Sequence, residues 1–324
     1  MNTSIGVLTE KLLALSLLKG VGPATLRKLA LLPRFANESA EQLAAQVPLL
    51  ARALAVPDAW DLATEAAVHQ IDVAKNHGAA ILSLFDSRFP ALLLAASDGP
   101  AILYVSGSLP ARDQRTIAII GTREPTTHGA VIASRISADF VEHGWSVVSG
   151  LAIGCDGVAH KASLDAGGHT VAVMAHGLQT TTPAQHRALA ERILSCGGAL
   201  VSEFPFGQEP QPQLFARRDR TQAALSEGVV MVQSSLNGGS LHASRAALAN
   251  QRWLAVPYPT ERDRHSAAEK IAANLVLAEG TPEQKASLLG CTQDALERLV
   301  ILRDRSGYEN LRSLKASVRH DLLV

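Results

Sequence analysis

The sequence predicts an α/β protein, a doubly wound parallel sheet preceded by a small all-α domain. Two observations carry this. From residue 116 onward, six short β-branched runs alternate with helical stretches of about 11 to 16 residues. The runs are nearly continuous in apolar residues, as strands buried on both faces must be. Ahead of them, residues 1 to about 75 are rich in Ala and Leu, and their apolar positions recur at spacings of three and four, the period of an amphipathic helix.

In order along the chain, residues 1–78 form the helical domain. Within it, Leu18-Lys19-Gly20-Val21-Gly22-Pro23 ends one helix and starts another, with Pro23 where a first turn accepts it. This is a helix-hairpin-helix pattern. Gly20 and Gly22 shape a turn that is a candidate for one phosphate, or for plain helix packing. Residues 79–115 read as a connector: strands at 81–85 and 102–105, a turn at 86–90, and a boundary marked by Gly107, Pro110 and the charged stretch 112–115. Residues 116–280 hold the sheet domain. Its strands are 117–120, 146–149, 170–174, 199–201, 228–232 and 253–256, and helices such as 128–143 and 184–196 supply the crossovers. The tail, 281–324, is expected to be helical. A helix at 267–278 precedes it, and two short helices within 284–303 break at Gly290. No hairpin completes a winged helix there.

Composition narrows the function. With 47% hydrophobic and 19% charged residues, disorder is excluded. Thirty Lys plus Arg balance thirty Asp plus Glu, so nucleic acid is not held by bulk charge and any such binding needs a local patch. The opening MNTSIGVLTEKLL lacks a basic stretch followed by a long apolar one, and no apolar run approaches ~20 residues. A cytoplasmic protein without a membrane segment is expected. Cys155, Cys196 and Cys291 are far apart, giving neither a disulfide frame nor a zinc site. No cofactor or metal is expected.

In an open parallel sheet, ligands bind beyond the carboxyl ends of the strands. After the first strand comes Gly121-Thr122-Arg123, offering a tight turn, a hydroxyl and a guanidinium fork. It is not a dinucleotide fingerprint. The second strand leads into Ser149-Gly150-Leu151-Ala152-Ile153-Gly154-Cys155-Asp156, with His160 four residues on. Backbone N–H groups at this helix start favour an anion. Asp156 is expected as an N-cap, and with His160 it is a candidate acid–base pair. Beyond the third strand, His176 is a candidate contact. The fourth strand leads through a proline-punctuated excursion to Arg217-Arg218-Asp219-Arg220. This is a concentrated basic cluster in a stretch whose charge balances, since residues 116–259 as a whole hold ten Lys or Arg and ten Asp or Glu. Arg217 and Arg220, three apart, share a helix face. After the fifth strand, Gly238-Gly239-Ser240 opens a helix as a phosphate cradle, without the Lys of an NTP-hydrolysing loop. The candidate anion-binding set is therefore Gly121, Thr122, Arg123, Ser149, Gly150, Gly154, Asp156, His160, Arg217, Arg218, Arg220, Gly238, Gly239 and Ser240. Aromatic residues are 4% of the chain; Phe204, Phe206 and Phe215 are the candidates for base stacking, with packing as the plainer role.

At these loops the chain resembles the DNA processing protein A (DprA, also called Smf) family. The matching pieces are Phe89-Pro90 and Pro100-Ala101-Ile102-Leu103-Tyr104-Val105-Ser106-Gly107, then Ile119-Ile120-Gly121-Thr122-Arg123 and residues 148–160. They continue with Leu200-Val201-Ser202-Glu203-Phe204-Pro205, residues 215–226, Gly239-Ser240-Leu241-His242-Ala243 and Ala255-Val256-Pro257. Order and spacing agree over roughly residues 10–280. The resemblance implies an extended Rossmann-like core behind a helical domain of sterile-alpha-motif type. It further implies single-stranded DNA binding, a homodimer and loading of a RecA-type recombinase during natural transformation, without catalysis.

The chain departs from the family pattern in places. Ile153 stands where the family usually has Arg, Asp219 where it favours Asn, and Gln233 where it favours Glu; Thr182-Pro183, His186, His242 and Tyr258 also differ. Losing a phosphate contact weakens affinity and flattens its salt dependence. Two other readings stay open: a nucleotide-binding sensor or scaffold with a degenerate pocket, and an N-glycosidase of the nucleoside-monophosphate phosphoribohydrolase kind using Asp156 or Glu203.

Overall fold

The computed structural model describes residues 5–266 and 268–316. The first four residues, position 267 at the head of an expected helix, and the end of the expected helical tail (317–324) lie outside the described residues.

Five helices come first: α1 (Val7–Leu17), α2 (Pro23–Ala30), α3 (Ala40–Ala44), α4 (Pro48–Leu54) and α5 (Ala59–Asn76). In the helix-hairpin-helix turn, Gly20 takes a left-handed φ of 86° and Gly22 caps α2. Thr25 and Arg27 of α2 are buried, and the Arg27 guanidinium donates to the carbonyl of Leu94. This hairpin therefore docks its second helix into the rest of the protein.

Next come β1 (Ala79–Ser83), α6 (Ala91–Ala95), β2 (Ile102–Gly107) and β3 (Thr116–Ile120), then α7 (Thr127–Glu142), β4 (Ser146–Ser149), α8 (Cys155–Asp165) and β5 (Thr170–Met174). The chain continues with α9 (Arg187–Ser195), β6 (Ala199–Ser202), α10 (Pro212–Ala224), β7 (Gly228–Met231), α11 (Ser240–Ala249) and β8 (Trp253–Pro257). It ends in α12 (Glu261–Ser266), α13 (Ala272–Glu279), α14 (Pro282–Leu289), β9 (Leu299–Leu302) and α15 (Gly307–Ser313).

Among the described residues, nine strands form one sheet in the order β1-β2-β6-β5-β4-β3-β7-β8-β9. From β6 to β9 all neighbours are parallel; β2 runs antiparallel to β6, and β1 to β2. This is an extended Rossmann-like sheet. The connector strands enlarge it on one side, their first strand lying two residues earlier than the pattern suggests. The chain winds from β3 through β4 and β5 to β6, then returns to β7 on the other side of β3. That reversal opens a crevice beyond the carboxyl ends of β3, β4 and β7.

The tail corrects one expectation. Residues 294–298 form a single 3₁₀ turn, and Leu299–Leu302, expected within a helix, pairs parallel with β8 as a ninth strand. A run of four apolar residues satisfies either period, and the open edge of β8 decides between them. Arg115 ties residues 312–314 to the sheet. It donates to the Glu227 carboxylate at 2.6 and 2.8 Å, to the carbonyls of Arg312 and Leu314, and lies over the Trp145 ring.

Helices α1–α5 pack on the β1–β2 edge through a shared core that includes Leu12, Leu15, Leu29, Ile81, Ile102, Tyr104 and Phe206. Gln70 of α5 locks the joint: its carboxamide accepts from the Phe206 N–H at 2.8 Å and donates to the Phe206 carbonyl at 3.0 Å. Among the described residues, no helix is long and apolar enough to cross a membrane.

Candidate nucleic-acid interface

A pocket of 470 Å³ fills the crevice. Its walls come from the loop after β3 (Gly121, Thr122, Arg123), the stretch between β4 and the start of α8 (Ala152, Asp156), one face of α10 (Phe215, Arg218, Asp219, Gln222) and the stretch from β7 into α11 (Ser234, Ser235, Gly238, Gly239, Ser240, His242). Four separate stretches of the sequence thus meet at one carboxyl edge.

Backbone hydrogen bonds tie the β3 loop to the segments that follow β7 and β4. The Thr122 N–H donates to the Gln233 carbonyl at 2.9 Å, and the Cys155 N–H donates to the Thr122 carbonyl at 3.2 Å. Gly154 makes this approach possible. Its φ is 86°, and a Cβ there would stand 2.4 Å from the Arg123 carbonyl oxygen, so only glycine fits without strain. Gly150 serves a second close approach, since a Cβ would fall 2.2 Å from an Arg218 nitrogen. On the far wall, Asn274 of α13 accepts from the Ser234 N–H at 3.0 Å and donates to the carbonyls of Val232 and Pro257. Ser240 Oγ in turn donates to Ser234 Oγ at 2.8 Å.

The arginine cluster does not act as one group. Arg218 is 5% exposed. Its guanidinium donates to the Gly150 carbonyl, to the Val173 carbonyl at 2.8 Å, and to Asp219 Oδ1 at 2.9 Å. Arg217 and Arg220 lie off the pocket, on the helix face turned to the β6 exit. Arg217 donates to the buried Glu203 at 2.6 Å above the Phe204 ring, and Arg220 lies near enough to help hold Glu203 ionised against the upward push of burial. The trio expected on one rim is therefore divided, because successive helical positions point about 100° apart. Of the two guanidinium groups that line the pocket, Arg123 is the exposed one, and His242 is exposed beside it. The Arg123 guanidinium carbon sits 5.7 Å from the Phe215 ring centre, and that of Arg218 also sits at 5.7 Å.

Several other candidates are placed elsewhere. Ser149 is buried, and its hydroxyl donates to the Ile119 carbonyl at 2.6 Å, tying adjacent strands. His160 is wholly buried; its Nδ1 meets Thr170 Oγ1 at 2.7 Å, and burial pushes its imidazole down to about 3. It is a neutral core side chain and no partner in acid–base chemistry. His176 is likewise buried, its Nδ1 on the Gly177 carbonyl at 2.8 Å. Gly154, not Asp156, caps α8. Burial pushes the Cys155 thiol up to about 12, which removes it as a nucleophile at neutral pH. Gly20 and Gly22 lie in the turn between α1 and α2 and line no part of this pocket. Gln233 braces the fold: it accepts from the Thr126 N–H at 3.0 Å and donates to Thr126 Oγ1 at 2.9 Å, securing the start of α7.

Asp156 and Asp219 give the pocket an unexpected balance. The Asp156 carboxylate accepts from the Ala152 N–H at 3.3 Å. Burial pushes its carboxyl up to about 6, with Arg218 opposing and Asp219 reinforcing the rise. Burial also raises Asp219, against Arg218, His242 and Arg123. Two guanidinium groups thus face two carboxylates. In the sequence Asp219 stands out only as a carboxylate where the family favours Asn, and Phe215 only as a stacking candidate with packing as its plainer role. Their spacing with Gln222, at positions i, i+4 and i+7 of α10, was the signal that they share the pocket face.

The family model for DNA recombination-mediator protein A matches residues 80–290. Protein Smf of Escherichia coli is 42% identical over 176 residues, covering 54% of this chain and 47% of that protein. DNA processing protein DprA of Bacillus subtilis is 35% identical over 185 residues, covering 56% of this chain and 62% of that protein. The chain spans about half the length of the curated relatives it matches. A solved structure of DNA processing protein A from Helicobacter pylori, described for its unique single-stranded DNA binding mode, has a TM-score of 0.54 and 27% identity, covering 62% of this chain and 88% of that one.

Proposed function

The chain belongs to the DNA recombination-mediator protein A family, and from that premise we propose that its carboxyl-edge pocket grips single-stranded DNA. On this reading the protein works as a homodimer in the cytoplasm, hands the strand to a RecA-type recombinase and performs no chemistry of its own. The observation that carries the reading is the meeting of three loops and one face of α10 at a single cleft, lined by glycine backbone, serine hydroxyls and the exposed Arg123. Such groups position phosphates without reading sequence. The described binding mode of the Helicobacter pylori relative supports the same ligand.

The balanced charges set the strength. With Arg218 committed to Asp219 and two carbonyls, few cations remain to displace counterions. The salt dependence of binding should therefore be shallow. Fluorescence anisotropy of a labelled single strand, titrated over salt beside the duplex, tests this. Single-strand binding that weakens in Arg123→Ala supports the reading; no binding at low salt overturns it. The recombinase step is tested by filament assembly on strands coated with a single-strand-binding protein. Faster assembly in the presence of this protein is expected, and an unchanged rate overturns that step.

One observation favours an enzymatic second reading: Asp156, with its carboxyl at about 6, lines a nucleotide-sized cleft. Free base released from a nucleoside-monophosphate panel would support it, and an inert panel would dismiss it.

A further inference from the structure

The pocket holds a feature that phosphate binding leaves unused. Asp219 lines it with a carboxylate, an acceptor-only group at neutral pH. One of its oxygens takes the Arg218 Nε–H at 2.9 Å, and the other accepts no hydrogen bond among the described residues. A phosphate would be repelled here, so this wall asks for a neutral ligand that donates hydrogens. Beside it, Arg123 is exposed, lines the same pocket, and lies near enough to counter the rise of the Asp219 carboxyl. It has no acceptor among the described residues and is free to donate. Phe215 lines the same cleft, its ring centre 5.7 Å from the guanidinium carbons of both Arg123 and Arg218, and offers it a flat apolar surface.

We infer that the pocket accepts one unstacked base of the bound strand and favours guanine, with Asp219 accepting from guanine N1–H and the 2-amino group while Arg123 donates to O6 and N7. The inference rests on the single-strand reading above and names what that site selects. The chemistry of the four bases makes the choice. Guanine alone presents two adjacent donors on its pairing edge, matching the two oxygens of a carboxylate, and beside them the O6 and N7 acceptors that suit arginine. Cytosine and adenine each offer one amino group next to a ring-nitrogen acceptor, which a carboxylate repels. Thymine offers a single N–H between two carbonyls. Reading an extruded base through its pairing edge while an aromatic ring stacks on its face is a general mode of recognition. The 470 Å³ of the cleft suits a single nucleotide unit. A site whose buried polar groups would go unpaired with the wrong base rejects it more strongly than apolar contact alone can.

The test uses the full chain and labelled oligothymidylates that differ at one central position: thymine, adenine, cytosine, guanine or hypoxanthine. We expect the guanine oligomer to bind roughly tenfold more tightly than the thymine one, the scale of one bidentate pair. Hypoxanthine, which lacks only the 2-amino group, should fall back most of the way. In Asp219→Asn the thymine oligomer should bind more tightly, because a negative charge leaves the pocket, and the guanine preference should vanish. Equal affinity for all five oligomers overturns the inference while leaving single-strand binding intact. So does hypoxanthine binding as tightly as guanine, a comparison that needs no variant. Binding of none of them overturns the single-strand reading and the base preference together.

Discussion

Arg218→Ala tests whether this arginine is a structural brace, as its contacts imply. The guanidinium, 5% exposed, serves the Gly150 carbonyl, the Val173 carbonyl and Asp219, and it opposes the burial of Asp156. Removing it strands two buried carboxylates and two carbonyls. Breaking a buried ion pair costs about 3–5 kcal/mol. Water entering from the cleft relieves the carbonyls, so we take ~4 kcal/mol for the whole change. At roughly 2.1 cal/mol/K per residue over 324 residues, unfolding entropy is about 0.7 kcal/mol/K, and the melting temperature should fall by roughly 6 °C. Differential scanning calorimetry at pH 8 measures it. Repeating the scan near pH 5 adds a sign: without Arg218 both carboxyls take up protons more readily, and the deficit should narrow in acid. Arg123→Ala is the counterpart. It should melt within about 0.5 kcal/mol of wild type, as exposed substitutions do, yet lose DNA. An Arg218→Ala protein that melts like wild type, or a deficit that widens in acid, would refute the brace.

Other outcomes follow from single contacts. Asp156 has its folded carboxyl raised from 3.8 to about 6, so its contribution is fully present below pH 3.8 and is lost as pH rises through 6. Asp156→Asn should therefore raise the melting temperature at pH 8 and leave it unchanged near pH 4, measured by the same scans. Gln70→Ala removes both bonds to Phe206; a loss of about 2 kcal/mol is expected in urea unfolding, with hydrogen exchange speeding first along α5. Under native conditions iodoacetamide should label the exposed Cys196 and spare Cys155, whose thiol is buried and raised to about 12. Peptide mass spectrometry distinguishes the two.

What could be read from the chain followed physical constraint. The six parallel strands from β3 to β8 were visible because burial on both faces forces unbroken apolar runs. The glycine loops after β3, β4 and β7 were visible because a strand must turn sharply to enter its crossover helix. Leu299–Leu302 was not, since only its neighbour β8 tells a four-residue apolar run that it is a strand. His160 looked reactive by its spacing from Asp156. Spacing fixes a shared helix face but not which way that face looks, and here it looks inward to Thr170. The arginine cluster failed for a related reason. Whether a guanidinium meets solvent, Glu203 or a carbonyl depends on partners more than a dozen residues away in sequence.

The placement of β9 bears on how this protein can be cut into fragments. The family match stops at residue 290, before the strand that closes the β8 side of the sheet. A fragment trimmed there would leave the outer rim of Trp253–Pro257 bare, a row of unanswered amides and carbonyls on a fully buried apolar strand. Such a rim recruits any passing extended chain, including its own copies. Expression boundaries drawn from the family match would then yield sticky, self-pairing material, and the few residues of β9 beyond it decide between a tractable fragment and an aggregate.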